Sequence, residues 1–257
     1  MAHAHHHPAA VTALLPGAVI TLDNVTIAYQ RHPAVHHLSG TFPRGSLTAL
    51  VGPNGAGKSS LLKAIVGLLP LNGGKITVAD RQALGYLPQV TEVDRSFPMT
   101  VIEVVDLGHW RRVGALKRLT RAMRQRSREA LAEVGLAGFE DRPIASLSVG
   151  QFQRVLFARL IAADAALILL DEPFNAVDQR TVQELMALIS AWHRAGKTVI
   201  AALHDLDFVR AHFPESLLLA REPIAWGPTE EVLNAANLAA ARHSADHWQE
   251  AAAVCAA

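Results

Sequence analysis

The segment from Gly52 to Ser59 fits the pattern G-x-x-x-x-G-K-[ST], whose residue types suit the binding of a phosphate chain. Its glycines let the backbone turn so that consecutive N–H groups point at anionic oxygens. Lys58 can reach the β- and γ-phosphates of a nucleotide, and the Ser59 hydroxyl is placed to ligate Mg²⁺. The expected phosphate-binding residues are consecutive in the chain: Gly52, Pro53, Asn54, Gly55, Ala56, Gly57, Lys58, Ser59 and Ser60.

Two carboxylates at the end of the apolar run LILL supply a second kind of chemistry. Asp171 follows that run directly, where its carboxylate can hold Mg²⁺ through water. Glu172 comes next and can polarise an attacking water, because a glutamate accepts a hydrogen bond without competing for the metal. The alternative is that Glu172 is a solvent-facing residue at a strand end. The pairing of Glu172 with Lys58, far upstream in the chain, disfavours this alternative. Together these residues predict nucleotide hydrolysis.

The segments around these residues predict the elements that position them. LTAL before the loop predicts a buried strand and SSLLKAIVGLL after it a helix, whose N-terminus favours anions. Residues 18–30 alternate in the manner of a strand pair near an edge, and LNGGKITVAD and ALGYLPQ each predict one short strand. From Val90 to about Leu160 the pattern is helical, with a stop at Gly135 or Gly138.

After this helical block the alternation of strand and helix returns. AALILLDEP predicts a buried parallel strand, KTVIAAL and ESLLLA predict two more strands, and DQRTVQELMALISAWHRAG predicts a helix capped by Asp178 and Gly196. The expected fold is α/β: a P-loop NTPase (RecA-like) core with a mainly parallel sheet, an antiparallel β edge region and an inserted helical subdomain. The expected division is a flexible histidine-containing tail at 1–17, a nucleotide-binding core lobe at 18–89 and 161–228, a helical lobe at 90–160 and a helical C-terminal tail at 229–257.

Composition excludes several classes of protein. The 257 residues are 50% hydrophobic and 18% charged, which allows a large core, and the net charge of +1 gives no reason to expect an acidic or basic partner. Cys255 is the sole cysteine, so neither a disulfide framework nor a cysteine zinc site is expected. No apolar run approaches the roughly 20 residues of a membrane span, and no signal peptide is expected. The early histidines could bind metal, although a disordered tail is favoured: His3, His5, His6 and His7.

The octapeptide LSVGQFQR, Leu147 to Arg154, resembles the LSGGQ signature of the ATP-binding subunit of ABC transporters. Ser148, Gly150 and Gln151 match that signature, whereas a valine replaces its first glycine. A serine and a glycine at a helix N-terminus make a second phosphate cradle. In the family this cradle closes on ATP bound by the other copy, so the resemblance implies a dimer of two chains with two ATP molecules between them.

Other single residues of this sequence match positions of the family's motifs. Tyr29 lies where the family carries an aromatic residue that stacks on adenine, with a core tyrosine as the alternative. Gln89 matches the glutamine that touches Mg²⁺ and the attacking water. NAVD, Asn175 to Asp178, matches the loop usually written SALD but departs at its first and third positions, and Asp178 is implied to contact the opposite subunit. His204 matches the histidine that senses the γ-phosphate. The resemblance thus implies three catalytic residues: Glu172, His204 and Gln89.

The segment from Val93 to Gly114 resembles the corresponding segment of bacterial zinc and manganese importers. The resemblance is carried by the short motifs SFPMTV and DLGHWRR. The resemblance implies an ATP-hydrolysing subunit that powers import of a divalent metal ion, zinc first and manganese second. Its cofactors would be ATP and Mg²⁺, the latter held by Ser59, Gln89 and Asp171. Its partners would be a second copy, an integral membrane permease and, indirectly, an extracytoplasmic metal-binding protein, with no nucleic acid. It would lie on the cytoplasmic face of the cell membrane, bound through the permease.

Alternatives remain for the cargo and for the basic and histidine-rich stretches. Iron-chelate (siderophore) or cobalamin importers have related segments and are the alternative for the cargo. A soluble ABC ATPase acting on nucleic acid or ribosomes would usually show two such domains or a long coiled-coil insertion, and neither is recognised in this sequence.

Eight basic residues between positions 111 and 128 have no acid among them, which indicates a solvated face or proximity to anionic phospholipid. Four histidines could bind Zn²⁺, although a solvated surface is favoured for each: His36, His37, His243 and His247.

Overall fold

A six-stranded sheet carries the phosphate-binding loop. The computed structural model describes residues 17–29, 32–114 and 118–251. In these ranges the strands are β1 Ala18–Tyr29, β2 His32–Pro43, β3 Leu47–Val51, β4 Gly73–Val78, β5 Leu84–Leu87, β6 Leu167–Asp171, β7 Thr198–Ala202, β8 Glu215–Ala220 and β9 Glu222–Pro228. Strands β5, β6, β7, β3 and β8 lie in that order and pair in parallel, and β9 adds an antiparallel edge.

The helices cover the sheet and fill the segment between β5 and β6. In the same ranges they are α1 Lys58–Val66, α2 Val101–Asp106, α3 Trp110–Val113, α4 Arg121–Glu133, α5 Val149–Ala163, α6 Gln179–Arg194, α7 Leu206–His212, α8 Thr229–Val232 and α9 Ala235–Ala251. Strands β3, β6 and β7 are buried at every position, as expected for parallel strands covered on both faces. Within the described ranges no helix is both long and apolar enough to cross a membrane.

The first strand corrects the prediction of a strand pair near an edge at residues 18–30. This segment is the single strand β1, and it lies in the middle of a separate antiparallel sheet of order β2–β1–β4. Asn24 has a φ of +49°, and the pairing with β2 shifts register between Leu22 and Val25. This bulge interrupts the apolar alternation, which is why one strand has the pattern of two.

The helices α2, α4 and α5 pack together around an apolar core that includes Val105, Leu131 and Phe157. The side chain of Thr120 accepts a hydrogen bond from the Met123 N–H and caps α4, whereas Gly135 follows that helix with a φ of +73°. The last helix of this group, α5, continues to Ala163 before β6 begins. The signature octapeptide therefore opens a helix that is anchored in the core of the helical segment.

The histidines and basic residues noted in the sequence have mixed surroundings. His36 Nδ1 lies 3.2 Å from Glu222 Oε1 and His37 Nδ1 lies 2.6 Å from Asn24 Oδ1, so these two rings have polar neighbours on the protein surface. In the basic stretch, Arg126 pairs with glutamates of its own helix, and Arg112 Nη2 lies 3.5 Å from Asp164 Oδ2.

Among the described residues no group of three His, Cys, Asp or Glu side chains could hold a metal. Several residues for which the sequence makes predictions lie outside the part of the chain that the structure describes: residues 1–16, Lys117, the side chain of His247, and Cys255.

A buried polar network joins α2 to α4. Ser127 Oγ donates a 2.5 Å hydrogen bond to Asp106 Oδ1, so the 3.1 Å contact between Ser127 Oγ and His109 Nε2 requires that Nε2 carry the proton. His109 is 1% exposed. Burial lowers the pKa of His109, and Arg112 and Arg126 lower it further, whereas Asp106 and the backbone of Met123 act in the opposite direction. The buried ring therefore resists protonation more than a free histidine does.

Stability is expected to fall at acid pH because of His109. Below its usual pKa of 6.5, the unfolded chain binds a proton at this residue that the folded chain resists. The free energy of unfolding is therefore expected to decrease as the pH falls through this value, by at most about 1.4 kcal/mol per pH unit for one proton. Urea unfolding of the wild type and of His109→Gln, whose amide can keep the bond to Ser127, measures the effect. The stability difference between them should narrow between pH 7.5 and 5.5, and a constant difference would contradict this expectation.

Candidate functional site

The loop between β3 and α1 requires its glycines. Gly52 has a φ of +146°, and a Cβ on it would lie 1.9 Å from the carbonyl oxygen of Leu219. Gly57 has a φ of +96°, and a Cβ there would lie 2.0 Å from the carbonyl oxygen of Ala34. Because α1 begins immediately afterwards at Lys58, the free N–H groups of its first turn open onto the same loop. The local fold is that of a phosphate cradle.

Lys58 is folded back onto this loop. Its Nζ donates to the carbonyl oxygens of Gly52 at 2.8 Å and of Pro53 at 3.1 Å. Burial lowers the pKa of Lys58, while the nearby carboxylates of Glu172 and Asp171 act in the opposite direction. An ammonium group has three N–H donors, so one remains for a phosphate oxygen. The loop carbonyls thus hold the cation at the place where an anion would bind.

Asp171 lies at the end of β6 with two hydroxyl groups against it. Ser59 Oγ donates to Asp171 Oδ1 at 2.8 Å, and the Tyr86 hydroxyl lies 3.4 Å from Oδ2. Asp171 is fully buried, and its burial raises the pKa of its carboxyl group. Burial also raises the pKa of Tyr86 well above its usual value, so this hydroxyl stays protonated and donates. A buried carboxylate beside a serine hydroxyl is an all-oxygen set that fits Mg²⁺.

Glu172 follows Asp171 and is held by two amide side chains. Gln89 Nε2 and Asn175 Nδ2 both donate to Glu172 Oε2, the latter at 3.1 Å. The backbone of Glu172 has a φ of +48°, a region that residues other than glycine rarely adopt. Strained conformations of this kind concentrate at functional sites. The structure therefore brings Lys58, Asp171, Glu172 and Gln89 to one end of the parallel sheet.

A cavity of about 320 Å³ opens beside these residues. Its walls include the phosphate-binding loop, Tyr29, Glu172 and Arg221. The Tyr29 side chain is 47% exposed, and its hydroxyl lies 3.4 Å from Ser60 Oγ, so it is not the core tyrosine of the alternative interpretation. An exposed ring next to a phosphate cradle can stack on a planar base. Strand β2 also contributes to this wall.

The signature residues lie at a different cavity. Ser148 caps α5: its Oγ accepts from the Gln151 N–H at 3.2 Å, and its own N–H donates to Gln151 Oε1 at 3.0 Å. A cavity of about 620 Å³ is lined by these two residues together with Gly150 and Asp178, and no residue of the phosphate-binding loop lines it. Within one chain, therefore, the signature residues and the loop from Gly52 to Ser59 line different cavities.

Comparison with known proteins identifies the family. The family model described as "ABC transporter" matches residues 35–175. The manganese transport system ATP-binding protein MntB of Bacillus subtilis (strain 168) is 40% identical over 225 residues, covering 85% of this chain and 90% of that protein. The chain belongs to the ABC transporter family. It is an ATPase of that family, coupled to transport.

Further relatives of this ABC ATPase agree in sequence and in fold. The zinc transport system ATP-binding protein TroB of Treponema pallidum (strain Nichols) is 42% identical, covering 81% of this chain and 80% of that protein. A solved structure described as an inward-facing conformation of a putative metal-chelate type ABC transporter superposes with a TM-score of 0.79 at 29% identity, over 88% of this chain and 89% of that one. The predicted α/β P-loop fold is thereby confirmed.

One predicted site residue of the ABC ATPase stands apart from the others. His204 follows β7, whose residue Ala202 pairs with Asp171, so it lies at the same end of the sheet. Its side chain is exposed and makes no hydrogen bond to another described residue. The structure therefore places His204 at the same end of the sheet as Glu172 without a hydrogen bond between them.

The structure adds three residues of this ABC ATPase that the sequence interpretation missed. Tyr86 approaches the carboxylate of Asp171, Asn175 binds Glu172, and Arg221 lines the cavity beside Tyr29. The sequence carried a partial signal for two of them. Tyr86 stands in the same GYLPQ segment as Gln89, and Asn175 is the first departure from the SALD loop. Arg221 lies in the tight connection between β8 and β9, and no motif marks it.

Proposed function

We propose that this chain is the ATP-hydrolysing subunit of an importer for a divalent metal ion, with zinc and manganese as the candidate cargoes. The observation that carries the proposal is the likeness over most of the chain to ATP-binding proteins named for manganese and zinc transport. The segment from Val93 to Gly114 supports it, because it resembles the same importers in the part of the chain expected to face a permease. Between the two candidate cargoes, zinc is proposed first and manganese second.

ATP is proposed to bind in the cavity beside Tyr29. Its phosphates would lie against the loop amides and Lys58, with adenine on the exposed tyrosine ring. Ser59, Asp171 and Gln89 would hold Mg²⁺, and the oxygen donors of the first two fit that ion. When bound, the metal neutralises charge on the phosphates. Glu172 would orient and deprotonate the attacking water, and His204 would contact the γ-phosphate.

The separation of the two phosphate cradles supports a dimer. Because the Ser148 cavity and the Lys58 cavity are distinct in one chain, the signature residues would act on ATP held by a second copy. A related cassette, superposing with a TM-score of 0.72 at 25% identity over 82% of this chain and 98% of that one, is described as a dimeric post-hydrolysis state bound to ADP and Pi. Asp178, beside Gly150, would contact the opposite subunit. Closure would exclude water, and hydrolysis would remove the shared phosphate and favour opening.

The permease is proposed to dock on the helical lobe. A groove of about 480 Å³ lies between the segment after Gln89 and the helical segment, and three of its large apolar side chains are exposed: Phe97, Leu107 and Trp110. Exposed apolar clusters of this kind mark protein interaction surfaces. Through this contact the subunit would lie on the cytoplasmic face of the membrane, and an extracytoplasmic metal-binding protein would deliver the cargo to the permease.

Growth under metal limitation tests the proposal. A strain lacking this gene is expected to grow poorly in chelator-treated medium, and addition of zinc alone or of manganese alone should restore growth. Rescue by neither metal, or rescue by an iron chelate or cobalamin instead, would overturn metal import as the function. The deletion strain carrying the wild-type gene is the control, because it should grow without any added metal.

A further inference from the structure

The loop after Glu172 contains a side chain that family resemblance does not account for. Asn175 stands where the family motif has a serine, and its Nδ2 donates to Glu172 Oε2 at 3.1 Å. Its backbone N–H donates to the carbonyl oxygen of Glu172, also at 3.1 Å, and closes a tight turn. Asn175 therefore binds both the backbone and the carboxylate of Glu172.

The surrounding loop keeps Asn175 in place. Gln153, fully buried on α5, donates from Nε2 to the Pro173 carbonyl oxygen at 2.7 Å. The Phe174 ring packs edge-on against Phe208, with centroids 5.0 Å apart. Ala176, the next residue after Asn175, has a φ of +57°. Such conformations persist only where neighbouring contacts hold them, so the loop has little freedom to reorient the asparagine.

The two oxygens of the Glu172 carboxylate have different surroundings. Gln89 and Asn175 both donate to Oε2, whereas Oε1 has no hydrogen-bond partner in the part of the chain that the structure describes. Two N–H donors stabilise negative charge on Oε2 and leave the lone pairs of Oε1 for a water molecule. If Gln89 turns toward Mg²⁺, as proposed above, Asn175 is the donor that remains on the carboxylate.

We propose that Asn175 is a positioning residue that orients Glu172 so that Oε1 meets the attacking water, including when Gln89 has moved to the metal. This inference rests on the proposed role of Glu172 as the base. Asn175 does not touch the reacting atoms itself. It acts through the carboxylate of Glu172, whose direction its side-chain N–H group fixes.

Two substitutions in the full-length chain test this role, with the rate of ATP hydrolysis measured as a function of ATP concentration. Asn175→Ala removes the donor, and Asn175→Asp keeps the shape but sets an anionic acceptor against Glu172. We expect kcat to fall roughly 10-fold in the first and roughly 100-fold in the second, with the KM for ATP within about twofold of wild type. A fall in kcat without a matching rise in KM is expected of a residue that orients the base and does not itself bind ATP.

A purely structural role for Asn175 predicts the opposite order of activity for the two variants. Aspartate forms the same turn as asparagine, so Asn175→Asp would then be at least as active as Asn175→Ala. That result would overturn the inference. Glu172→Gln in the same assay separates the two proposals: if it keeps full activity, the base assignment itself is wrong, and if it is inactive while both Asn175 variants are normal, only the role of Asn175 is lost. Asn237→Ala, remote on α9, is the matched control.

Discussion

The Lys58→Ala variant is expected to lose ATP hydrolysis by about 100- to 1,000-fold while keeping its fold. The Nζ of Lys58 is held by the carbonyl oxygens of Gly52 and Pro53 at the mouth of the phosphate cradle. Removing a preorganised donor that faces developing charge on phosphate costs about this factor. Release of inorganic phosphate under saturating ATP measures the rate, and binding of a fluorescent ATP analogue measures whether affinity falls with it.

A second lysine provides the control for this variant. Lys197 lies outside the cavity, where its Nζ forms a 3.0 Å ion pair with Asp164 Oδ1. Lys197→Ala loses the same charge and should hydrolyse ATP at the wild-type rate, because Lys197 does not line the cavity beside Tyr29. If Lys58→Ala kept a tenth or more of wild-type hydrolysis, the phosphate loop would not bind the hydrolysed nucleotide as proposed.

Replacing Glu172 with glutamine is expected to slow hydrolysis by about 100- to 10,000-fold and to trap ATP between two chains. Glutamine has the size of glutamate but cannot take a proton from water, and general-base catalysis contributes about this factor. Because ATP would then remain intact, the closed dimer should accumulate. Light scattering after gel filtration in ATP and Mg²⁺ should show twice the 27.6 kDa mass of one chain.

The dimer prediction has its own matched control. Glu92 lies on the short 3₁₀ turn after Gln89, and its carboxylate pairs with Lys63 instead of the catalytic residues. Glu92→Gln should behave as wild type, with turnover and no trapped dimer. A monomeric Glu172→Gln chain in the presence of ATP would contradict the proposal that the Ser148 cavity closes on nucleotide held by a second copy.

The parts of the fold that depend on local sequence were predicted well. The strand β6 ends at Asp171 because LILLD is an uninterrupted apolar run closed by an acid, and α6 begins after Asp178 because that side chain caps the Thr181 N–H at 3.0 Å. The apolar residues Leu185, Met186, Ile189 and Trp192 recur at helical spacing along α6, and all four are buried. The strand end, the helix cap and this stripe each depend on residues within a single element.

The parts that depend on distant partners were not predicted. Strand β2 contains His36, His37 and Gly40, which obscure its alternation, and it forms because β1 pairs with it. Gly40 leaves room for Trp226 of β9, whose ring would lie 2.3 Å from a Cβ at that position. The contacts of Asn175 and Tyr86 with the two carboxylates likewise join residues through the folded loop and across the sheet. Sequence motifs identified the chemical groups, but the hydrogen bonds among them required coordinates.

Metal import by this chain is tested most directly by accumulation of radioactive Zn²⁺ and Mn²⁺ in cells. Deletion cells would express the wild type, Lys58→Ala or Lys197→Ala at equal levels. We expect accumulation of at least one of the two metals with the wild type and with Lys197→Ala, and only background accumulation with Lys58→Ala. Equal accumulation of both metals in all three strains and in the deletion strain would contradict ATP-driven metal import by this protein.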